Sequence, residues 1–538
     1  MNIENLIRAL GNPREDEFGR EQHLAAHRGE PWASMDRLEA LAELKWLADA
    51  GRMPAPQTRR GTNTHVHTRE SFSILRSPSD AAWQGFQAGL DVLGINDHYT
   101  IGGHDEFREA CRIVGLRATF SMEAVAVDAG LLAEGVRCND PGNPGRTYLS
   151  AKGIVYPLAP DSQGHRDLEM MKNALRRRNE QIVEKLNALL ARLEPALRLS
   201  FEDDVLALTP RGNTTERHVC QALAELIERS IPDRAARVDF LRRLVGADPR
   251  PLRSHVSRPG QAQGPAPASD VPFDEQKDLA SDAAYQNMLR ATLLKAGRPA
   301  YAEESPEAFI SWERMISMYL EYGSIPSYPV LGNPVVELED DLEKLFDAIA
   351  GRKLHAIEVI PHRNTHERLA AILDAAARHG YPVFNGTEHN TKTPMPLLDK
   401  WSGSDEFIGQ FTLGANVLIG HQVLSSCAGL GYVDSYGDLS VPDREHGLSL
   451  FSFAGRMVQK PETMLLLKKL GRRGSLSLLA GLHKLMGSST GTGLWSIASR
   501  AKITAKQLAG VKVKLGKAEF ASIQAADGLG NWAEENVM

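Results

Sequence analysis

The strongest constraint on the fold is a repeated alternation of short apolar segments with helical patterns, which starts near residue 60. Such alternation is typical of an α/β protein built on a parallel sheet or barrel. The predicted strands lie at 64–66, 92–96, 118–122, 153–156, 328–334 (a strand and turn), 355–360 and 381–384. Helical patterns at 79–88, 106–114, 338–350 and 366–378 separate several of these strands.

Changes in composition divide the chain into three parts. Residues 1–58 predict a helical N-terminal arm, in which leucines recur at helical spacing between 34 and 50. Residues 59–400 carry the strand–helix alternation and predict the barrel. At about 245–325 the barrel is interrupted by a linker rich in Pro, Gly, Ala and Ser and then by a helical insertion. Residues 401–538 predict a mostly helical C-terminal extension.

The overall composition narrows the class of protein. The chain has 62 basic and 68 acidic residues and a net charge of −6, which does not favour a nucleic-acid binder. Its four cysteines form no CxxC pair, as expected in a reducing compartment. The N-terminus lacks the pattern of a secretory signal, and no apolar run approaches the length of a membrane span. We therefore expect a cytoplasmic protein that does not interact with membranes.

Potential metal ligands follow several of the predicted strands. His65 and His67 lie two residues apart, so both side chains point to the same face of an extended segment. Similar strand ends carry Asp97 with His98, Glu123, and Glu388 with His389, and His218 lies where a loop meets a helix. Each of these residues alone is more often structural. Together, in this order and setting, they predict a metal centre at the mouth of a barrel.

These motifs resemble the PHP (polymerase and histidinol phosphatase) family of metal-dependent phosphoesterases. The resemblance covers roughly residues 60–400. It is carried by the segments Thr64-His-Val-His-Thr68, Gly94-Ile-Asn-Asp-His98, Phe120-Ser-Met-Glu123, Arg217-His218 and Gly386-Thr-Glu-His-Asn390. The resemblance implies a distorted (β/α)7 barrel of the TIM-like type. The chain departs from the family pattern at Tyr156, Asn333 and Asn390, where histidines are expected, and at Ser71 and Ser73, where some members have a histidine.

The resemblance also implies roles for individual residues. One metal would be held by His65, His67, Glu123 and Glu388, and Glu123 would bridge to a second metal shared with His218. His98 would bind a further metal or position the leaving group, and His389 is an alternative ligand in the closing motif. Asp97 would orient a histidine or move a proton. Arg217 and Arg363 are candidate phosphate contacts, because a guanidinium pairs bidentately with phosphate oxygens. We expect one or two divalent ions (Mn, Zn or Fe), and three at most.

The sequence thus predicts an enzyme that hydrolyses the phosphoester of a small phosphorylated metabolite with a metal-activated water. One alternative is an amidohydrolase-like hydrolase of a C–N or ester bond, which also uses an HxH pair. That class usually relies on a lysine at a strand end, and none of the predicted strands ends in a suitable lysine. Another alternative is a degenerate PHP module that binds a ligand or partner without turnover, because the ligand set is reduced.

Overall fold

The computed structural model describes residues 2–56, 58–246, 273–457 and a few positions between 464 and 479. The strands are β1 (Thr62–Val66), β2 (Val92–His98), β3 (Arg117–Val127), β4 (Arg146–Lys152), β5 (Ile310–Ser311), β6 (Ile325–Val330), β7 (Ala356–Val359) and β8 (Val383–Asn385). The helices are α1 (Ile3–Ala9), α2 (Arg20–Ala26), α3 (Arg37–Asp49), α4 (Pro78–Gln87), α5 (His104–Val114), α6 (Ala129–Glu134), α7 (Gln163–Leu193), α8 (Glu216–Ser230), α9 (Arg234–Val245), α10 (Glu275–Asp278), α11 (Asp282–Leu289), α12 (Trp312–Glu321), α13 (Leu342–Gly351), α14 (His366–His379), α15 (Ile408–Ala428) and α16 (Arg444–Met457).

Seven of these strands form one nearly closed barrel-like sheet, which confirms the predicted distorted α/β barrel. Their order in the sheet is β1-β2-β3-β4-β6-β7-β8, and the short β5 pairs with β3 outside this path. The ring approaches closure where β1 meets the segment after β8. There the His67 amide donates to the Glu388 carbonyl at 2.7 Å, and the Glu388 amide donates to the His65 carbonyl at 2.9 Å. The carboxyl ends of six strands therefore surround one mouth.

The fourth strand differs from the prediction in both position and direction. The predicted strand at 153–156 is wrong: the strand is β4, and it pairs antiparallel with both β3 and β6. Tyr156 lies beyond it, half exposed, and its hydroxyl donates to the Ser425 carbonyl at 3.0 Å. The strand was predicted at 153–156 because Ile154-Val155-Tyr156 is apolar. The strand β4 itself carries a charged residue at each end.

Helices on the outside of the barrel and a helical arm cover the sheet. Helix α4 starts at Pro78 after Ser77, whose hydroxyl accepts the Asp80 amide, and this is the usual chemistry of a helix start. Its buried face packs with α5 against the strands. In the arm, α3 places Arg37 beside Glu106 of α5 at 2.8 Å. The arm is thus tied to the barrel through a buried ion pair.

Two further hydrophobic clusters lie beside the barrel core. One joins the C-terminal half of α7 with α8, α9 and α11. The other contains α15 and α16, which pack on β8 and neighbouring strands. Helices α15 and α16 lie in the C-terminal extension that was predicted to be mostly helical, although their bounds were not predicted. The sequence also predicts helices at 464–470, 476–486 and 495–508, which lie largely outside the described residues, as does the linker at 249–272. No helix within the described ranges is both long and apolar enough to cross a bilayer.

Candidate metal centre

His65, His67 and Glu123 converge at the mouth of the barrel. The Nε2 atoms of His65 and His67 lie 3.1 Å apart. Glu123 Oε1 lies 3.0 Å from His67 Nε2 and 3.7 Å from His65 Nε2. All three side chains are buried, and one ligand atom from each falls within 4.8 Å of the others. Two imidazoles and a carboxylate facing one point form a donor set suited to a divalent ion.

The pairing of the strands explains this convergence. In the register between β2 and β3, His98 lies directly opposite Glu123, so that both side chains reach the same level of the barrel. His98 Nδ1 lies 3.2 Å from Glu123 Oε1. The ring of His98 also stands 4.5 Å from that of His67, measured between centroids. His98 is thus the fourth group of the cluster, on the side that opens to the cavity above it.

Hydrogen bonds behind the cluster orient both histidines of the HxH pair. His65 Nδ1 lies 2.9 Å from a carboxylate oxygen of Glu358 on β7. His67 Nδ1 lies 3.2 Å from Ser71 Oγ, and that hydroxyl donates to Asp97 at 2.6 Å. With Nδ1 engaged in each case, Nε2 is the nitrogen that faces Glu123, and at His65 it also lies 3.0 Å from Asn96 Nδ2. Asp97 therefore sits behind His67, where it also accepts two hydrogen bonds from Thr68.

Below His65, the interior of the barrel contains a buried ion pair. Lys152, the last residue of β4, contacts Glu358 and donates to the Thr64 carbonyl at 3.2 Å. Ser150 donates to the other oxygen of Glu358 at 2.5 Å. A strand of this protein thus ends in a lysine, which corrects the expectation from the sequence. The ammonium is already paired with Glu358 and is not among the atoms that converge at the mouth.

The charges in the cluster shift the pKa values in opposite directions. Burial lowers the pKa of His65, but the negative charges of Glu358 and Glu123 outweigh it and raise this pKa to about 9. Burial lowers the pKa of His98 to about 3. Burial alone would raise the pKa of Glu123, yet the surrounding imidazoles of His98 and His65 hold it well below its usual value. Glu123 is therefore ionised, and the cluster favours a positive charge between its members.

A cavity of about 690 Å³ opens above the cluster, and its wall holds cationic and acidic side chains in equal number. Arg217 lines this cavity, and its guanidinium lies 6.0 Å from the centroid of the Phe72 ring. No ion pair or hydrogen bond joins the Arg217 side chain to any described residue. Arg178, Arg290 and Lys295 share the carboxylate of Glu216, whose pKa falls to about 2 because these cations outweigh its burial. This patch of the wall therefore carries excess positive charge, although the lining as a whole has six cationic and six acidic side chains.

The segment that follows β8 lies at the rim of this cavity but does not join the histidines. Glu388 binds the Arg363 guanidinium through both carboxylate oxygens, at 2.7 and 2.5 Å. The neighbouring His389 turns away from the mouth, where its two nitrogens lie 2.8 Å from Thr387 Oγ1 and 3.1 Å from the Met395 carbonyl. Asn390 donates to Glu388 at 2.9 Å. In this arrangement Glu388 and Asn390 line the cavity, whereas His389 does not.

His218 and Asn333 also lie apart from the cluster. His218 Nδ1 accepts the Thr215 amide at 3.0 Å, as part of a capping box at the start of α8. Its ring contacts Phe72 edge-on and borders a separate, smaller cavity. The side chain of Asn333 donates to the Arg363 carbonyl at 3.0 Å. Of the predicted metal ligands, the structure thus brings together His65, His67, His98 and Glu123.

Comparisons with known proteins give distant structural similarities only. No family model and no curated protein matches the chain. One similar structure, with a TM-score of 0.41 and 19% identity, is a provisionally assigned metal-dependent phosphoesterase from Bifidobacterium adolescentis; the match covers 66% of this chain and 96% of that one. Another is an amidohydrolase from Chromobacterium violaceum with bound sulfate and no metal, at a TM-score of 0.39 and 14% identity, covering 63% and 93%. These similarities assign neither a substrate nor a reaction.

Proposed function

We propose that this protein is a metal-dependent hydrolase of the PHP type that cleaves the phosphoester of a small phosphorylated molecule. The observation that carries the proposal is the convergence of His65, His67 and Glu123 on one point beneath a cavity that Arg217 lines. A divalent ion held there supplies a Lewis acid and generates hydroxide near neutral pH. The protein residues then have to place the phosphate and handle the leaving group.

Arg217 is the candidate phosphate contact that the geometry supports better. Arg363 already forms a bidentate pair with Glu388, so its guanidinium is neutralised within the chain. Arg217, in contrast, lines the cavity without an ion-pair partner among the described residues, and burial lowers its pKa. An unpaired guanidinium in a partly buried wall gains most from an anionic ligand. We therefore assign Arg217 to the phosphate and Arg363 to the support of Glu388.

His98 and Asp97 have different proposed roles although they are adjacent in sequence. His98 borders the cavity and is held neutral by burial, so that it can act as a further ligand or contact the leaving group. Asp97 is buried and accepts hydrogen bonds from Thr68 and Ser71. It contacts no part of the cavity wall. Its role is to orient His67 through Ser71.

The amidohydrolase-like alternative has less support from the structure. Its usual lysine would have to reach the metal, but Lys152 pairs with Glu358 and hydrogen bonds to Asn96 at 3.3 Å below the cluster. The group of cations around Arg217 also suits a phosphorylated substrate better than a neutral amide. A module that binds without turnover remains the second alternative, since Tyr156 and Asn333 both lie away from the mouth.

Phosphate release from a panel of small phosphomonoesters, with added Mn²⁺ or Zn²⁺, tests the proposal. We expect turnover by the wild type and a loss of more than about 100-fold in His65→Ala/His67→Ala, because even residues behind metal ligands contribute 10–100-fold. A matched double variant, His366→Ala/His379→Ala, removes two histidines that pair with surface carboxylates and should retain activity. Turnover of amide or carboxylic ester substrates alone would favour the amidohydrolase class. Metal binding without any turnover would favour the binding module.

A further inference from the structure

A second, smaller cavity lies behind Phe72, and its polar groups are hydrogen-bond donors. It has a volume of about 150 Å³ and is bordered by Arg69, Phe72, Ser73, Leu208, His218, Gln221 and Lys392. This is roughly five times the volume of about 30 Å³ that one water occupies in the liquid. Phe72 also lines the large cavity, so its ring stands between the two spaces. The small cavity is therefore separate from the metal centre and close to it.

The two cations of this cavity lack carboxylate partners within the described residues. Arg69 makes a long hydrogen bond from Nε to the Leu208 carbonyl, at 3.5 Å, and no described residue accepts from its two terminal nitrogens. Lys392 donates to the Ser73 carbonyl at 2.7 Å and lies 5.0 Å from the centroid of the Phe72 ring. Burial and the charge of Arg69 lower the pKa of Lys392 to about 8. Two partly buried cations thus repel each other, and neither forms an ion pair with a described carboxylate.

His218 adds a neutral donor to the same cavity. Its Nδ1 accepts the backbone amide of Thr215, so this nitrogen carries no proton. Burial lowers the pKa of His218 to about 3, which keeps the ring neutral. The neutral tautomer must then carry its hydrogen on Nε2, and no described residue accepts that hydrogen. Since His218 borders the cavity, this hydrogen is available to a ligand there.

We propose that this cavity binds a phosphate-sized tetrahedral oxyanion, held by Arg69, Lys392 and the Nε2–H of His218. Three donor side chains converge on it, and two of them are charged. A phosphate dianion offers several acceptor oxygens and balances both charges. The carboxylates of Glu225 and Asp282 act on Lys392 electrostatically, but neither forms an ion pair with it. The site is distinct from the proposed metal centre and does not depend on its activity.

Titration calorimetry of the full chain, after removal of metal with a chelator, tests this site directly with inorganic phosphate as the probe. We expect saturable binding by the wild type that weakens about tenfold or more in Lys392→Met, since hydrogen bonds to charged groups contribute about 1.5–3 kcal/mol. Lys392→Arg should restore most of the affinity. Recovery of binding in Lys392→Arg would show that the lost charge, and not a change of side chain at this position, weakens binding in Lys392→Met. Lys344→Met removes an exposed lysine and should bind as the wild type does.

Two further arms locate the bound anion and its source. If phosphate binds in the small cavity, the binding event that Lys392→Met weakens should remain in Arg217→Met, whereas any second event at the large cavity should be lost there. Loss of binding in Arg217→Met, with none in Lys392→Met, would overturn the proposal, as would absence of phosphate binding by the wild type. Titration with glycerol phosphate distinguishes free phosphate from a phosphoryl group on a larger molecule. If inorganic phosphate binds and glycerol phosphate does not, the result supports free phosphate as the ligand. If both bind, the result supports a phosphoryl group on a larger molecule.

Discussion

Two buried polar clusters in this protein differ in whether the chain itself satisfies them. In the N-terminal arm, Arg37 donates to Glu17 at 2.9 and 2.6 Å, to Glu106 at 2.8 Å, and to the Asn12 carbonyl. Glu106 also accepts from Ser79 at 3.1 and 2.8 Å. Each polar nitrogen of this guanidinium thus has a partner within the chain. The cluster is complete without any ligand.

In the cluster at the mouth of the barrel, three potential metal ligands face one another and not separate partners. The Nε2 atoms of His65 and His67 face each other, and an ionised carboxylate from Glu123 approaches both. Their other nitrogens are already engaged by Glu358 and Ser71. The difference suggests a simple criterion: buried charges that serve the fold find partners in the chain, whereas the charges of a site converge on a position that a ligand completes.

The largest effect on stability is expected where the complete cluster is broken. Arg37→Met leaves Glu17 and Glu106 buried without their cation, and removal of one partner of a buried pair costs about 3–5 kcal/mol. We expect this loss in the free energy of unfolding, measured by denaturant titration, and no change in metal content. A loss of bound metal with unchanged stability in Arg37→Met would contradict the assignment of the arm cluster to the fold and of the mouth cluster to the metal site.

A smaller effect on stability is expected at His421. This buried histidine resembles Arg37 because its ring nitrogens have hydrogen-bond partners within the chain. Its Nε2 donates to the Gly323 carbonyl at 2.8 Å, and its Nδ1 accepts the Tyr432 amide at 2.9 Å. Burial lowers its pKa to about 4. Between about pH 6.5 and 4 the unfolded chain binds this proton and the folded chain does not, so stability falls as the pH falls. The cost approaches about 3 kcal/mol at the acidic end.

The variant His421→Gln isolates this contribution, because glutamine offers a donor and an acceptor but does not titrate in this range. We expect the difference in free energy of unfolding between wild type and variant to shrink as the pH falls through the same window. A difference that is independent of pH would mean that His421 is not held neutral in the fold.

The smallest effect is expected from a single hydrogen bond behind the mouth cluster. Ser71→Ala removes the hydroxyl that links His67 to Asp97. It leaves in place the three proposed metal ligands, His65, His67 and Glu123. Loss of such a supporting group typically weakens metal affinity about 10–100-fold, and we expect the lower end. Competition with a chelating dye measures the change. Ser73→Ala, a neighbouring buried serine that donates to the His389 carbonyl, should leave the affinity unchanged.

The sequence predicted the barrel, and it pointed to the side chains that the structure brings together at its mouth, because both depend on local patterns. Strand ends that carry His65, His67, His98 and Glu123 are visible in short segments, and parallel pairing brings such ends together. The bounds of helix α15 escaped prediction because the helix is buried on most sides and so lacks the polar face that makes a helix recognisable. The division into three parts remains a prediction.

The supporting residues of the site could not be predicted from the sequence. Glu358 reaches His65 across 293 residues, and no local pattern encodes that contact. Lys152 was missed because β4 was assigned to the wrong segment. The sequence correctly placed His218 near the start of a helix. It could not predict the direction of the His218 side chain, because the capping interaction with Thr215 turns the ring away from the mouth.

Metal analysis of the purified protein tests the central claim most directly. Wild-type protein and His65→Ala/His67→Ala are loaded with Mn²⁺ or Zn²⁺, dialysed, and analysed for metal by mass spectrometry, with His366→Ala/His379→Ala as the control. We predict bound divalent metal in the wild type and the control, and its loss in the variant of the mouth cluster. Absence of metal from the wild type, or equal metal in all three proteins, would contradict the account.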